Sequence, residues 1–209
     1  MSIVPKLATS LNRRDEVPNI ELARTIAQKG DKMSVSELIV HLNHRNKAIR
    51  HDCIKVLYEI GKIKPWLISD SYRLFLAILG NADNRMRWGA MMALDQIALE
   101  KPRELYNSLG QMANAADNGS VISRDRYVSI LIKLSSFEKN SQRTIPLLLE
   151  QLATCPANQL PMYAENAVSV LNERHRDAFV QVLSSRLDEI EKESKRQRVD
   201  KIIEKIRLL

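Results

Sequence analysis

Glycine and proline are scarce in this 209-residue chain, at six and seven residues. So little punctuation excludes a fold of many short strands joined by tight turns, and it favours long helices. Cysteine is scarcer still: Cys53 and Cys155 lie far apart with no CxxC pair, which excludes both a disulfide scaffold and a zinc ribbon. Both sit among apolar neighbours and read as small core residues of a protein kept in a reducing compartment. No run of 18 apolar residues occurs, and the opening MSIVPKLATSLNRRDE lacks the apolar stretch of a signal peptide, so a soluble cytoplasmic protein is expected. The motifs that carry chemistry are absent too: no GxSxG, no glycine-rich phosphate loop, no HExxH. His41, His44 and His51 cluster in sequence, but nothing nearby completes a ligand set, so neither a metal nor a cofactor is expected.

What is present in quantity is charged and apolar residues in a globular balance, 27% and 44%, rich in the helix formers Ala, Leu, Glu, Lys, Arg and Met. The formal charge of +7 permits contact with nucleic acid, an acidic membrane surface or an acidic protein, and selects none of them. Basic and acidic residues are intermixed, the usual pattern of a solvated surface.

A repeat of 37 residues organises the chain. RHDCIKVLYEIGKIKP (50–65) aligns with RWGAMMALDQIALEKP (87–102), then with RDRYVSILIKLSSFEK (124–139) and PMYAENAVSVLNE (161–173). One column holds Cys53, Ala90, Tyr127 and Ala164; a second holds Val56, Ala93, Ile130 and Ala167; a third holds Leu57, Leu94, Leu131 and Val168. Within each segment the apolar positions fall at i, i+3, i+4 and i+7, one face of a helix. These segments are termed B helices. Each is preceded by an amphipathic A helix: 34–43, 69–81, 103–116 and 144–155, with Leu38, Phe75 and Met112 keeping the same offset. A weaker unit precedes them at 20–30, and residues 179–209 supply one more helical pair with Ile202, Ile206 and Leu209 as its stripe.

A helix pair of this size cannot bury its apolar faces alone, so successive pairs are expected to stack. The pattern resembles the HEAT-repeat family, in particular its short bacterial-type units, through AIRHDCIKVLYEIG (48–61) and MRWGAMMALDQIA (86–98). The resemblance covers roughly residues 20 to 209. It implies an all-α, right-handed, armadillo-type solenoid of about five antiparallel helix pairs. Residues 1–19 would form an arm or capping helix, and 20–209 a single repeat domain closed by C-terminal capping helices. The fourth unit departs from the pattern, with Pro161 where the family shows arginine.

In such solenoids the B helices line the concave surface. The side of each B helix opposite its core would carry Tyr58, Trp88, Met92, Asp95, Leu99, Ile132 and Met162, a partly apolar stripe of the composition that marks contact surfaces. The competing reading is that neighbouring units or the termini cover it. Arg50, Arg87 and Arg124 form a second column at the A–B turn. Together with helix N-termini they could hold phosphates, but the favoured reading is a structural ladder to turn carbonyls or to Asp52, Asp83, Asp117 and Asp125.

The leading expectation is therefore a non-enzymatic scaffold binding a protein or peptide partner of unspecified identity, with no membrane partner. The alternative is a nucleic-acid-binding protein using the arginine edge. The HEAT-like alkylated-base DNA glycosylases use tryptophans and one aspartate on the concave face, and Trp88 and Asp95 are similar in kind. That catalytic set does not map onto this chain residue by residue, however; Trp66 lies at an A-helix start, and the stripe is too poor in Lys and Arg for a duplex groove.

Overall fold

The computed structural model describes residues 2–208, and among them every regular element is helical. The chain forms two compact units, one running up to Tyr127 and the other from Val128. Among the described residues, no helix is long and apolar enough to cross a membrane.

In the first unit a short 3-10 turn (Val4–Lys6) precedes α1 (Val17–Lys29), α2 (Lys32–His41), α3 (Lys47–Ile63), α4 (Trp66–Ser69), α5 (Tyr72–Ile78), α6 (Asn84–Gln96), α7 (Pro102–Asn107) and α8 (Leu109–Asp117). The unit boundary falls within α9 (Val121–Ser135). α3 packs between α1 and α6, with α2 and α4 also against it, and α5 packs on α6. The sequence dictates several ends. Gly30 closes α1 at φ +64°, with its own N–H donating to Ala27 O and that of Asp31 to Ile26 O, a Schellman stop that glycine adopts without strain. Asp31, Asn46 and Asp83 cap α2, α3 and α6 by accepting from the backbone N–H of Ser34, Ala48 and Arg85.

In the second unit α10 (Glu138–Thr154), α11 (Leu160–Ala167), α12 (Glu173–Ser185) and α13 (Glu193–Arg207) follow, with 3-10 turns at Val168–Val170 and Leu187–Glu189. α10 packs on α11 and α12, and α13 on α11 and α12.

The 37-residue columns are core. Cys53, Ala90, Tyr127, Ala164, Val56, Ala93, Ile130, Ala167, Leu57, Leu94 and Leu131 are all fully buried, as are Leu38, Phe75 and Met112. Val168 is half-buried, because α11 ends just before it and tightens into a 3-10 turn.

The boundaries differ from the periodic reading in instructive ways. B helices begin about one turn earlier than 50, 87 and 124, at the caps rather than at the first repeated arginine. Two A helices are broken. The expected 103–116 divides at Ser108, whose hydroxyl donates to Glu104 O at 2.9 Å and competes with the helical backbone; 69–81 divides at Asp70 and Ser71. The B helix expected to reach 139 stops at Ser135, whose hydroxyl bonds Leu131 O and Thr144 Oγ1. α10 then starts six residues before Thr144 and runs on through Pro146, because Ile145, Leu148 and Leu152 on its inner face are fully buried. In α13, Val199 and Ile203 join Ile202 and Ile206 in the core, while Leu209 lies outside the described residues.

The N-terminal arm is built in: Ile3, Leu7 and Ala8 are buried. Asn19 on α1 accepts from Ala8 N and donates to Asp52 on α3, which also accepts from Thr9 N at 2.8 Å.

Candidate functional site

The α3–α6 contact shapes the surface. A Cβ at Gly89 would stand 2.8 Å from Ile54 Cγ1, and one at Gly61 would stand 2.8 Å from Ile68 Cδ1 and 2.9 Å from Gln96 Cβ. Two glycines, one on each helix, therefore let α3 and α6 approach closely. That approach brings Tyr58 beside Trp88, with ring centroids 6.1 Å apart and tilted by 50°.

Around the two rings lies a chain of charge. Lys55 Nζ is 2.6 Å from Glu16 Oε2 and 2.9 Å from Glu59 Oε1, and Lys62 Nζ is 2.7 Å from the same Glu59 oxygen. Arg85 Nη2 donates to Glu16 Oε1 at 3.1 Å, and its guanidinium lies 6.0 Å from the Trp88 centroid. The ammonium groups of Lys55 and Lys62 lie 4.9 and 5.5 Å from the Tyr58 ring, within cation–π range.

The titration behaviour follows from this packing. Burial disfavours the Lys55 ammonium, yet its bonds to Glu16 and Glu59 outweigh that and raise its pKa above the usual lysine range. Burial likewise opposes the Glu59 carboxylate, and Lys62 and Lys55 more than compensate, so its pKa is lowered. Burial lifts the Tyr58 phenol against the opposing pull of Lys55. At the rim, burial works against Asp83, but the His51 contact at 2.7 Å, with Arg85 N and Lys47, keeps its pKa low.

The expected stripe is not uniformly outward. Leu99 and Met162 are exposed, and Trp88, Met92 and Ile132 are half-buried. Tyr58 and Asp95 correct the expectation: they are 3% and 1% exposed. Tyr58 is covered because α3 is flanked by α1 and α6 and crossed by the Glu16 side chain; Asp95 is covered because Arg126 Nη1 reaches it at 3.3 Å from α9. This buried, arginine-paired carboxylate links α6 to α9. Tyr58, Trp88, Met92, Asp95 and Leu99 lie in the first unit, Ile132 and Met162 in the second.

Each arginine of the repeating column turns back to its own A–B connection. Arg50 Nη1 donates to His44 O at 2.8 Å and Arg45 O at 3.3 Å; Arg87 Nη2 donates to Asn84 Oδ1 at 3.3 Å; Arg124 lies 3.7 Å from Asp117. Asp52 is bound to Thr9 and Asn19, and Asp83 to His51, Lys47 and its own cap. The other clustered histidines make local contacts: His41 lies 3.8 Å from Glu37 and packs edge-on to His44. Among the described residues, no three His, Cys, Asp or Glu side chains come together as a metal site.

Glu16 and Glu59 are the members of this face that sequence periodicity passes over, and Arg85 counts there only among the basic residues near the arginine column. Lys55, Glu59 and Lys62 have helix-face spacing, a legible signal. Glu16 has none, since it lies 39 positions from Lys55 and arrives through the fold.

No protein-family model and no curated protein sequence matches the chain.

Proposed function

We propose that this protein is a non-enzymatic binding module with a HEAT-like, right-handed solenoid arrangement of helix pairs, acting in the cytoplasm. It takes a peptide or helix of a protein partner on the B-helix face of its first unit. Three features support the solenoid reading: the 37-residue register, the side-by-side succession α1, α3, α6, and the positions of α2 and α5 against α3 and α6.

The observation that carries the binding reading is Trp88. It is a half-buried tryptophan with Tyr58 beside its ring and Arg85 within cation–π range; half-buried Met92 shares its helix and exposed Leu99 lies in the turn that follows. An anchored aromatic with one side open, rimmed by charge, is the composition of a binding hot spot. Arg50, Arg87 and Arg124 each make a contact back to their own A–B connection, which favours the structural ladder over a phosphate-binding edge.

A photo-crosslinking residue placed at Leu99 tests the reading, with Met33 on α2 as the control position. The expected result is a protein crosslink at 99 only, lost with Trp88→Ala. Equal crosslinking at both positions would sink the binding face. So would steeply salt-dependent nucleic-acid capture abolished by Arg87→Ala.

A further inference from the structure

Glu16 reaches the α3–α6 face from the residue just before α1, and its carboxylate bridges Lys55 at 2.6 Å and Arg85 at 3.1 Å. Three cations, Lys55, Lys62 and Arg85, meet two carboxylates here, Glu16 and Glu59. With Glu16 withdrawn, Lys55 and Lys62 keep Glu59, Arg85 gives up its contact with Glu16, and the Lys55 side chain, only 8% exposed, loses its shortest partner. We propose that the face reads acidic protein segments: a Glu or Asp side chain of the partner takes the seat of Glu16 between Lys55 and Arg85, while an adjoining apolar side chain packs on Trp88, Met92 and Leu99. This rests on the binding-face reading above and names its partner's chemistry.

Three features point to that occupant. The seat already holds a carboxylate, bridged by one ammonium and one guanidinium. Its rim carries Glu59 and Asp83, which repel a continuous polyanion but tolerate an isolated acid. Glu16 is also replaceable. Its side chain is 44% exposed, and residues 11–15 before it are all exposed. The arm's own anchor is elsewhere, at Thr9, Asn19 and Asp52, so Glu16 can swing out without undoing it. Only the Glu16 end of the pair with Lys55 is part-exposed, so a partner's acid reaches the seat from the solvent side and restores the buried lysine's partner.

The test uses the full chain and a fluorescein-labelled peptide alternating glutamate with leucine and phenylalanine, read by fluorescence anisotropy. A peptide with glutamine for every glutamate is the control. Glu16→Gln removes the internal competitor, so it should bind the acidic peptide about tenfold more tightly than the parent, because apparent affinity scales with the fraction of open seats. Glu16→Ser serves the same purpose should the glutamine variant fold poorly. Adding Lys55→Gln or Trp88→Ala should erase the gain while thermal unfolding shows the chain still folded. Equal binding by Glu16→Gln and the parent, or equal binding of the two peptides, overturns the proposal. A larger gain for a duplex oligonucleotide than for the peptide overturns it as well. A crosslink at Leu99 that persists when the peptide fails removes only the acidic-segment assignment. Loss of both removes the binding face too.

Discussion

Gly61 and Gly110 are chemically identical, and the packing around them gives them opposite roles. At Gly61 an added methyl meets Gln96 Cβ at 2.9 Å, an atom fixed to the backbone of α6 that cannot rotate away. At Gly110, within α8, nothing lies within 4 Å of the same methyl. Gly61→Ala should therefore destabilise by about 1–3 kcal/mol through overpacking, and Gly110→Ala should stabilise by about 0.5–1 kcal/mol through helix propensity. Urea unfolding midpoints check both signs in one series. Cys53 shows the same dependence on surroundings. It is fully buried, and burial, with smaller contributions from Asp52 and Glu37, pushes its thiol up to about 12, a value at which it is a packing residue and not a nucleophile.

Between elements, buried polar groups bind the arm and α1 to α3. Asp52 is only 7% exposed and accepts from the Thr9 backbone and the Asn19 side chain. Asp52→Ala leaves the buried Asn19 amide and the part-buried Thr9 N–H without this acceptor, so it should cost about 1–3 kcal/mol. Hydrogen exchange offers a localised readout: amides of residues 6–9 and of α1 should exchange faster while α10–α13 keep their protection. A uniform loss across the chain would contradict this local role. In the second unit Arg186 plays the corresponding part, donating to Leu152 O near the end of α10 at 2.7 Å while pairing with Glu189. In both places a side chain inherits backbone groups that the adjoining structure leaves open.

Across the whole molecule the charge pattern sets the pH range of stability. Glu59 and Asp83 have folded-state pKa values below their usual 4.5 and 3.8. Their stabilising contribution is complete above those values and is lost as the pH falls through the depressed ones. Lys55 has the opposite sign: its pKa is raised above 10.5, so its contribution is present below that value and fades as the pH climbs beyond it. Urea midpoints should thus form a plateau near neutrality with an acid limb below about pH 4.5. Glu59→Gln should flatten that limb, and an unchanged limb would place the acid sensitivity elsewhere.

The sequence by itself determined the helical class and the inner faces of the helices, because burial against a neighbour demands the i, i+3, i+4 spacing that local order alone records. Leu57, Leu94 and Leu131 are fully buried where the register puts them. The sequence also carried helix ends, the stop of α1 at Gly30 and the starts of α3 and α6 at Asn46 and Asp83, since caps act over three or four residues. Only the tertiary structure decided which outward side chains stay outward. Tyr58 and Trp88 both fall on the outward side of their B helices in the register, yet Tyr58 is covered and Trp88 half-open, because α3 packs between α1 and α6 and receives Glu16 from 39 residues away. Asp95 looked like a free acid for the same reason: its partner Arg126 lies on another helix, 31 positions on. Periodicity reports what a helix does to itself, and coverage depends on what the rest of the chain lays across it.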